Sequence, residues 1–85
     1  MTDIRWNALK SKRLKRTRGV SFEEIIKANL VDVADHHKQE HQQIFVYEYK
    51  QYLWAVPFVI EDDGGIFLKT IYPSRRLMKK YNKEK

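Results

Sequence analysis

Ile44–Ile71 reads IFVYEYKQYLWAVPFVIEDDGGIFLKTI, and the fold is decided by how this stretch is parsed. Outside two breaks, Lys50–Gln51 and Glu61–Gly65, nearly every residue is β-branched, aromatic or aliphatic, which is the composition of strands. The breaks divide it into three strands, about Ile44–Tyr49, Tyr52–Ile60 and Ile66–Ile71. Connections this short join antiparallel neighbours. Both alternating sets of the middle strand are apolar: Tyr52, Trp54, Val56, Phe58 and Ile60 on one face, Leu53, Ala55 and Val59 on the other. A strand with one wet face would alternate apolar with polar residues. Both faces are therefore expected to be covered. The chain's helices suffice for one, which leaves part of the other, with Tyr47, Tyr49, Tyr52, Trp54 and Phe58, to a partner or a substrate.

On the N-terminal side, Ile4-Arg5-Trp6 fits a short edge strand. Asn7 is a good N-cap for a helix over Ala8–Thr17, with few apolar residues (Ala8, Leu9, Leu14) and a narrow buried stripe. Gly19 stops it, because glycine accepts the left-handed conformation that ends helices. Ser21-Phe22-Glu23-Glu24 is a capping box, with Val20 as a staple on Ile25. Phe22, Ile25, Ile26, Asn29 and Leu30 then recur at helical spacing, so the second helix is expected to lie on the sheet. Val31–Gln43 is polar and irregular and reads as a loop, with a short strand or turn at Val31–Ala34. On the C-terminal side, Pro73 opposes a helix at Tyr72. Ser74 can cap a short helix from about Arg75 to Tyr81, with Leu77, Met78 and Tyr81 inward.

The predicted fold is thus α+β in one domain, 1–85. A small antiparallel sheet of three to four strands carries two N-terminal helices on one face, and a short C-terminal helix closes the chain. With no cysteine, no disulfide supports so small a core, which suits a reducing, cytoplasmic setting. MTDIRWNALK has the wrong pattern for a secretory signal, and no apolar run is long enough to span a membrane.

Seventeen Lys and Arg against eleven Asp and Glu give a formal charge of +6 and a pI near 9.7. A small domain this basic usually meets a polyanion or an acidic protein. Lys10, Lys12, Arg13, Lys15, Arg16 and Arg18 fall within nine residues, in and just after the first helix, with no acid among them. Like charges at helical neighbour spacing repel, and a phosphate backbone would reverse the sign of that cost. The same run also reads as a solvated face. A second set, Lys69, Arg75, Arg76, Lys79 and Lys80, surrounds the last helix. Positive charge at its N-terminus opposes the macrodipole, and an arginine fork there suits a phosphate. A solubilising terminal helix would look alike. His36, His37 and His41 could find a fourth ligand in Asp35 or Glu40, but the polar loop offers no scaffold to fix a metal's geometry, so no metal and no cofactor are expected. One of them can serve as a general acid or base, or simply sit in an exposed loop. The strand aromatics read as core first and as base-stacking surfaces second.

Trp6–Glu24, WNALKSKRLKRTRGVSFEE, resembles the opening of the BrnT family of bacterial toxins. In that family an aromatic-acidic pair, a lysine, a basic helix and a Gly-Val-Ser-Phe turn follow at this spacing, ahead of strands and a closing Arg-containing helix. The resemblance spans nearly the whole chain and is carried by Trp6, Lys10 and Gly19-Val20-Ser21-Phe22. It implies a compact RelE-like fold and a metal-independent ribonuclease, working on RNA free or on the ribosome. It also implies a cognate antitoxin, of ribbon-helix-helix type, in a hetero-oligomeric complex. Lys10 matches the family's helical lysine and Arg75 its arginine after the last strand. On this reading Lys10, Arg75, Arg76 and His41 are the catalytic candidates, with Lys12, Arg13, Lys15, Arg16, Arg18 and Lys79 on the RNA. The alternative is a basic module that binds RNA or an acidic partner and cuts nothing. Asn7 stands where the family has Asp, Ile60-Glu61 replaces an acidic-arginine pair, and Gln42 or Gln43 is near the place of a family arginine.

Overall fold

The computed structural model describes residues 3–35 and 42–81. His36, His37 and His41 lie outside them. The elements in order are β1 (Ile4–Arg5), α1 (Ala8–Arg18), α2 (Phe22–Ile25), β2 (Asn29–Asp35), β3 (Gln43–Tyr49), β4 (Tyr52–Ile60), β5 (Ile66–Leu68), β6 (Tyr72–Pro73) and α3 (Arg75–Lys80). The fold is α+β, and its sheet is larger than the sequence suggested. Among the described residues six strands form one mixed sheet in the order β1-β5-β4-β3-β2, with β6 also pairing with β4. All pairings are antiparallel except β1 with β5.

The register explains why β4 is apolar on both faces. Tyr47, Val56, Phe58, Leu68 and Ile71 join Leu14, Val20, Phe22 and Ile25 in one core under α1 and α2. Ile44, Val46, Leu53 and Ala55, from the opposite face, pack against Leu77 and Met78 of α3. α3 is held down through one residue of β4: the Leu53 amide donates to the Met78 sulfur, and the Ser74 amide donates to the Leu53 carbonyl. Its far end is tied by the Tyr81 hydroxyl, which donates to Asp32 on β2. So the chain's own helices cover both faces, and the expected open aromatic patch is not there. Tyr47 and Phe58 are buried; Tyr49, Tyr52 and Trp54 are partly buried against the two cores.

Two boundaries differ from the sequence expectation. The second helix is a single turn, α2, with both halves of its capping box formed. Phe22, Ile25 and Ile26 satisfy helical spacing within that one turn, so they cannot set its length. The chain then enters β2, a full seven-residue edge strand whose register shifts between Leu30 and Asp32. A bulge there breaks the alternation that marks a strand. It leaves Leu30 and Val33 46% and 45% exposed on the edge of the sheet. The expected third strand, Ile66–Ile71, is also cut short at Leu68. Pro57 has no amide to donate, so its carbonyl accepts from Lys69 but no bond returns. The chain leaves the ladder at Lys69 and rejoins β4 as β6, opposite Trp54 and Ala55. The Ile71 carbonyl in the gap accepts from the Arg18 guanidinium instead.

Candidate nucleic-acid interface

α1 owes its start to Asn7, whose side chain accepts from the Lys10 amide, and its end to Gly19 at φ 81°. Only Ser11 and Leu14 of the helix are buried. Ser11 is the anchor. Its hydroxyl donates to Glu23 and accepts the Phe22 amide at 2.9 Å, which satisfies a free donor at the start of α2. That contact fixes which way the cations face. Lys15 turns to α2 and pairs with Glu24 at 2.8 Å. Arg18 turns to Ile71. Lys12 and Arg16 are exposed. Lys10 and Arg13 meet β5.

There they line the first cleft, an open groove of about 380 Å³ walled by Asn7, Leu9, Lys10, Arg13, Phe67 and Lys69. Among the described residues no ion pair engages Lys10, Arg13 or Lys69. The Lys69 ammonium lies 5.8 Å from the centre of the Phe67 ring.

The second cleft, about 330 Å³, opens beside α3 on the other face of the sheet. Arg75, Arg76 and Lys80 come to it from the helix, Tyr72 from β6 and Asp35 from the end of β2. Ser74 caps α3 by accepting from the Leu77 amide at 3.1 Å, which sets the two arginines at the cleft. Lys79 is exposed on α3. Asp35 and Tyr72 are not legible as site residues in the sequence: only a short strand or turn over Val31–Ala34 is expected where β2 runs to Asp35, and the approach to a helix where β6 forms. Together this cleft holds three cations, a carboxylate and a phenol.

The clefts are therefore distinct: Lys10 belongs to the first, Arg75 and Arg76 to the second. They are joined at the sheet edge by residues 69–72, since Lys69 lines one and Tyr72 the other. Three residues reach at most about 10 Å. A different ionic cluster stands at the β4–β5 hairpin. There Arg5 pairs with Glu61 at 2.6 Å and with Asp63 at 3.0 Å, and Asp63 also accepts from the Gly65 amide. Those bonds hold the Asp63 carboxyl below its ordinary range, the Gly65 amide first and Arg5 second. One guanidinium faces two carboxylates there, so the cluster is net acidic, and it clamps β1 to the β4–β5 hairpin.

No protein-family model, no curated protein and no solved structure matches this chain. Among the described residues no three His, Cys, Asp or Glu side chains converge as metal ligands would. No helix among them is long and apolar enough to cross a membrane.

Proposed function

We propose that the chain is a divergent BrnT-type toxin of RelE-like fold, a cytoplasmic endoribonuclease that needs no metal and is neutralised by a cognate antitoxin. The observation that carries this reading is the second cleft, where Arg75, Arg76 and Lys80 stand with Asp35 and Tyr72. In metal-free cleavage the 2′-oxygen attacks phosphorus and its proton goes to a base. The bond from phosphorus to the 5′-oxygen breaks, and that oxygen takes a proton from an acid. The products are a 2′,3′-cyclic phosphate and a 5′-hydroxyl. Cations stabilise the crowded phosphorane between them. Asp35 is the base and Tyr72 the acid that this cleft offers, and Arg75 and Arg76 hold the phosphate. Lys10, in the other cleft, acts as a clamp on the flanking strand. The antitoxin, of ribbon-helix-helix type, would block one or both clefts with an acidic segment.

The second reading, a module that binds RNA or an acidic partner without cutting it, draws on the separation of Lys10 from Arg75. Turnover decides. RNA incubated with the protein and a chelator is cut under the first reading and only shifted under the second. If neither naked RNA nor translating ribosomes yield cleavage, the enzyme reading falls.

A further inference from the structure

The first cleft carries a feature that phosphate binding does not need. Leu9 is 73% exposed, the most exposed large apolar side chain among the described residues. Alone it would require no explanation. It lines the same groove as Phe67, however, and Lys10, Arg13 and Lys69 line it with them. An apolar surface with an aromatic ring, bordered by cations, is how proteins hold single-stranded nucleic acid: bases stack while cations follow the backbone. A duplex keeps its base faces stacked inside and offers only phosphate, sugar and base edges, none of which can stack on a ring. The Lys69 ammonium at 5.8 Å from the ring centre is near the outer limit of a cation–π contact. A phosphate can draw it off and free the ring. The volume, about 380 Å³, falls in the range of small-ligand sites, ~300–1,000 Å³.

We infer that the α1–β5 groove is a single-strand site in which one unpaired RNA base packs on Phe67 and Leu9 while Lys10, Arg13 and Lys69 hold the flanking phosphates. The inference rests on the proposed action on RNA and adds that the strand must be unpaired here. Leu9 and Phe67 are positioning residues. They select the strand and do no chemistry.

The test is fluorescence anisotropy with three labelled oligomers of equal length: a single-stranded RNA, its duplex and an abasic strand. The native protein is expected to bind the single strand tightest. Leu9→Gln keeps a good helix former at an exposed site, and Phe67→Leu keeps apolar bulk without the ring. Each should weaken the single strand by about ten-fold, the scale of a lost stack. Neither should alter the duplex or the abasic strand. Lys10→Gln should weaken all three. If single strand and abasic strand bind alike, or if both apolar variants leave the single strand unchanged, the stacking site is overturned while RNA binding stands. If the native protein binds none of the three oligomers, or prefers an acidic peptide, RNA binding falls and the stacking site falls with it.

Discussion

Lys10 and Arg75, the two positions that the BrnT resemblance pairs, lie in different clefts: Lys10 beside Arg13 and Lys69 against β5, Arg75, at the start of α3, beside Asp35 and Tyr72. One strand can reach both only by turning round the sheet edge at residues 69–72. Pro57 is what opens that edge, because its missing amide splits β5 from β6. A proline in a central strand is thus tied to the route proposed for the substrate.

Salt dependence separates the rows of cations on α1. Each phosphate neutralised on a single strand contributes about −0.7 to the slope of log affinity against log salt. Lys10→Gln with Arg13→Gln should make the slope shallower by about 1.4, from those two contacts. Lys12→Gln with Arg16→Gln, on the solvent side, should change it less. Equal flattening by both pairs would mean that the groove is not where the strand lies.

Ser11→Ala removes the partner of the Phe22 amide inside the structure. Ser11 is only 2% exposed, so water cannot replace the hydroxyl. A buried donor left unmatched costs about 1–3 kcal/mol. Urea denaturation should show a loss of that size. A loss under about 0.5 kcal/mol would mean that α1 and α2 are held by packing alone.

Much of this was legible in the sequence, and the failures share a cause. Asn7, Gly19, the Ser21–Glu24 box and Ser74 were readable as caps because each is a local rule, satisfied within a few residues. The β3–β4 hairpin was readable because two runs of almost only β-branched, aromatic and aliphatic residues meet at the two-residue break Lys50–Gln51. What escaped depends on distant partners. β2 hides behind a bulge and two half-exposed apolar residues, Leu30 and Val33. β6 is two residues long and exists only because Pro57 ended the strand before it. The second cleft escaped for the same reason, since Asp35 and Tyr72 sit on those two strands. The cationic residues were visible; which of them are engaged within the fold was not. Arg18 serves the Ile71 carbonyl and Lys15 serves Glu24.

Acid should unfold the protein through its paired carboxylates. The Lys15 ammonium, with the Ser21 amide and hydroxyl, holds Glu24 down to about 2 from 4.5. Ser11 does the same for Glu23 in direction, and Tyr81 for Asp32. A carboxyl whose folded pKa is depressed contributes stability that is complete above its unfolded pKa and lost as pH falls through the folded one. Stability should therefore decline from about pH 5 towards pH 2. Glu24→Gln should make that decline less steep and lower stability at pH 7. A parallel shift of the whole curve would show that the Glu24 charge is not linked to folding.

The β3–β4 turn is under backbone strain. Lys50 and Gln51 both have positive φ, 53° and 63°, a conformation that L-residues other than Asn and Gly disfavour by roughly 1–2 kcal/mol. Tyr49 and Tyr52 pair directly across it. Asn-Gly is the sequence such a two-residue turn prefers. Lys50→Asn with Gln51→Gly should raise Tm by about 4–8 °C, the shift expected for about 1 kcal/mol in a domain of this size. An unchanged or lower Tm would mean that the side chains of Lys50 and Gln51 offset the strain, for example through the Lys50 ammonium 5.4 Å from the Tyr49 ring.

The second cleft is proposed to cut RNA. The most direct measurement follows a labelled RNA with purified protein in excess chelator, comparing the native chain with the Arg75→Ala, Arg76→Ala variant and recording Tm for both. Fragments ending in 2′,3′-cyclic phosphate are expected. The variant should lose at least on the order of 100-fold in rate, the scale seen when even one group stabilising transition-state charge is removed. Tm should barely move, because both arginines are exposed. Intact RNA with the native chain, on naked RNA and on ribosomes alike, or an undiminished rate in a folded variant, would contradict it.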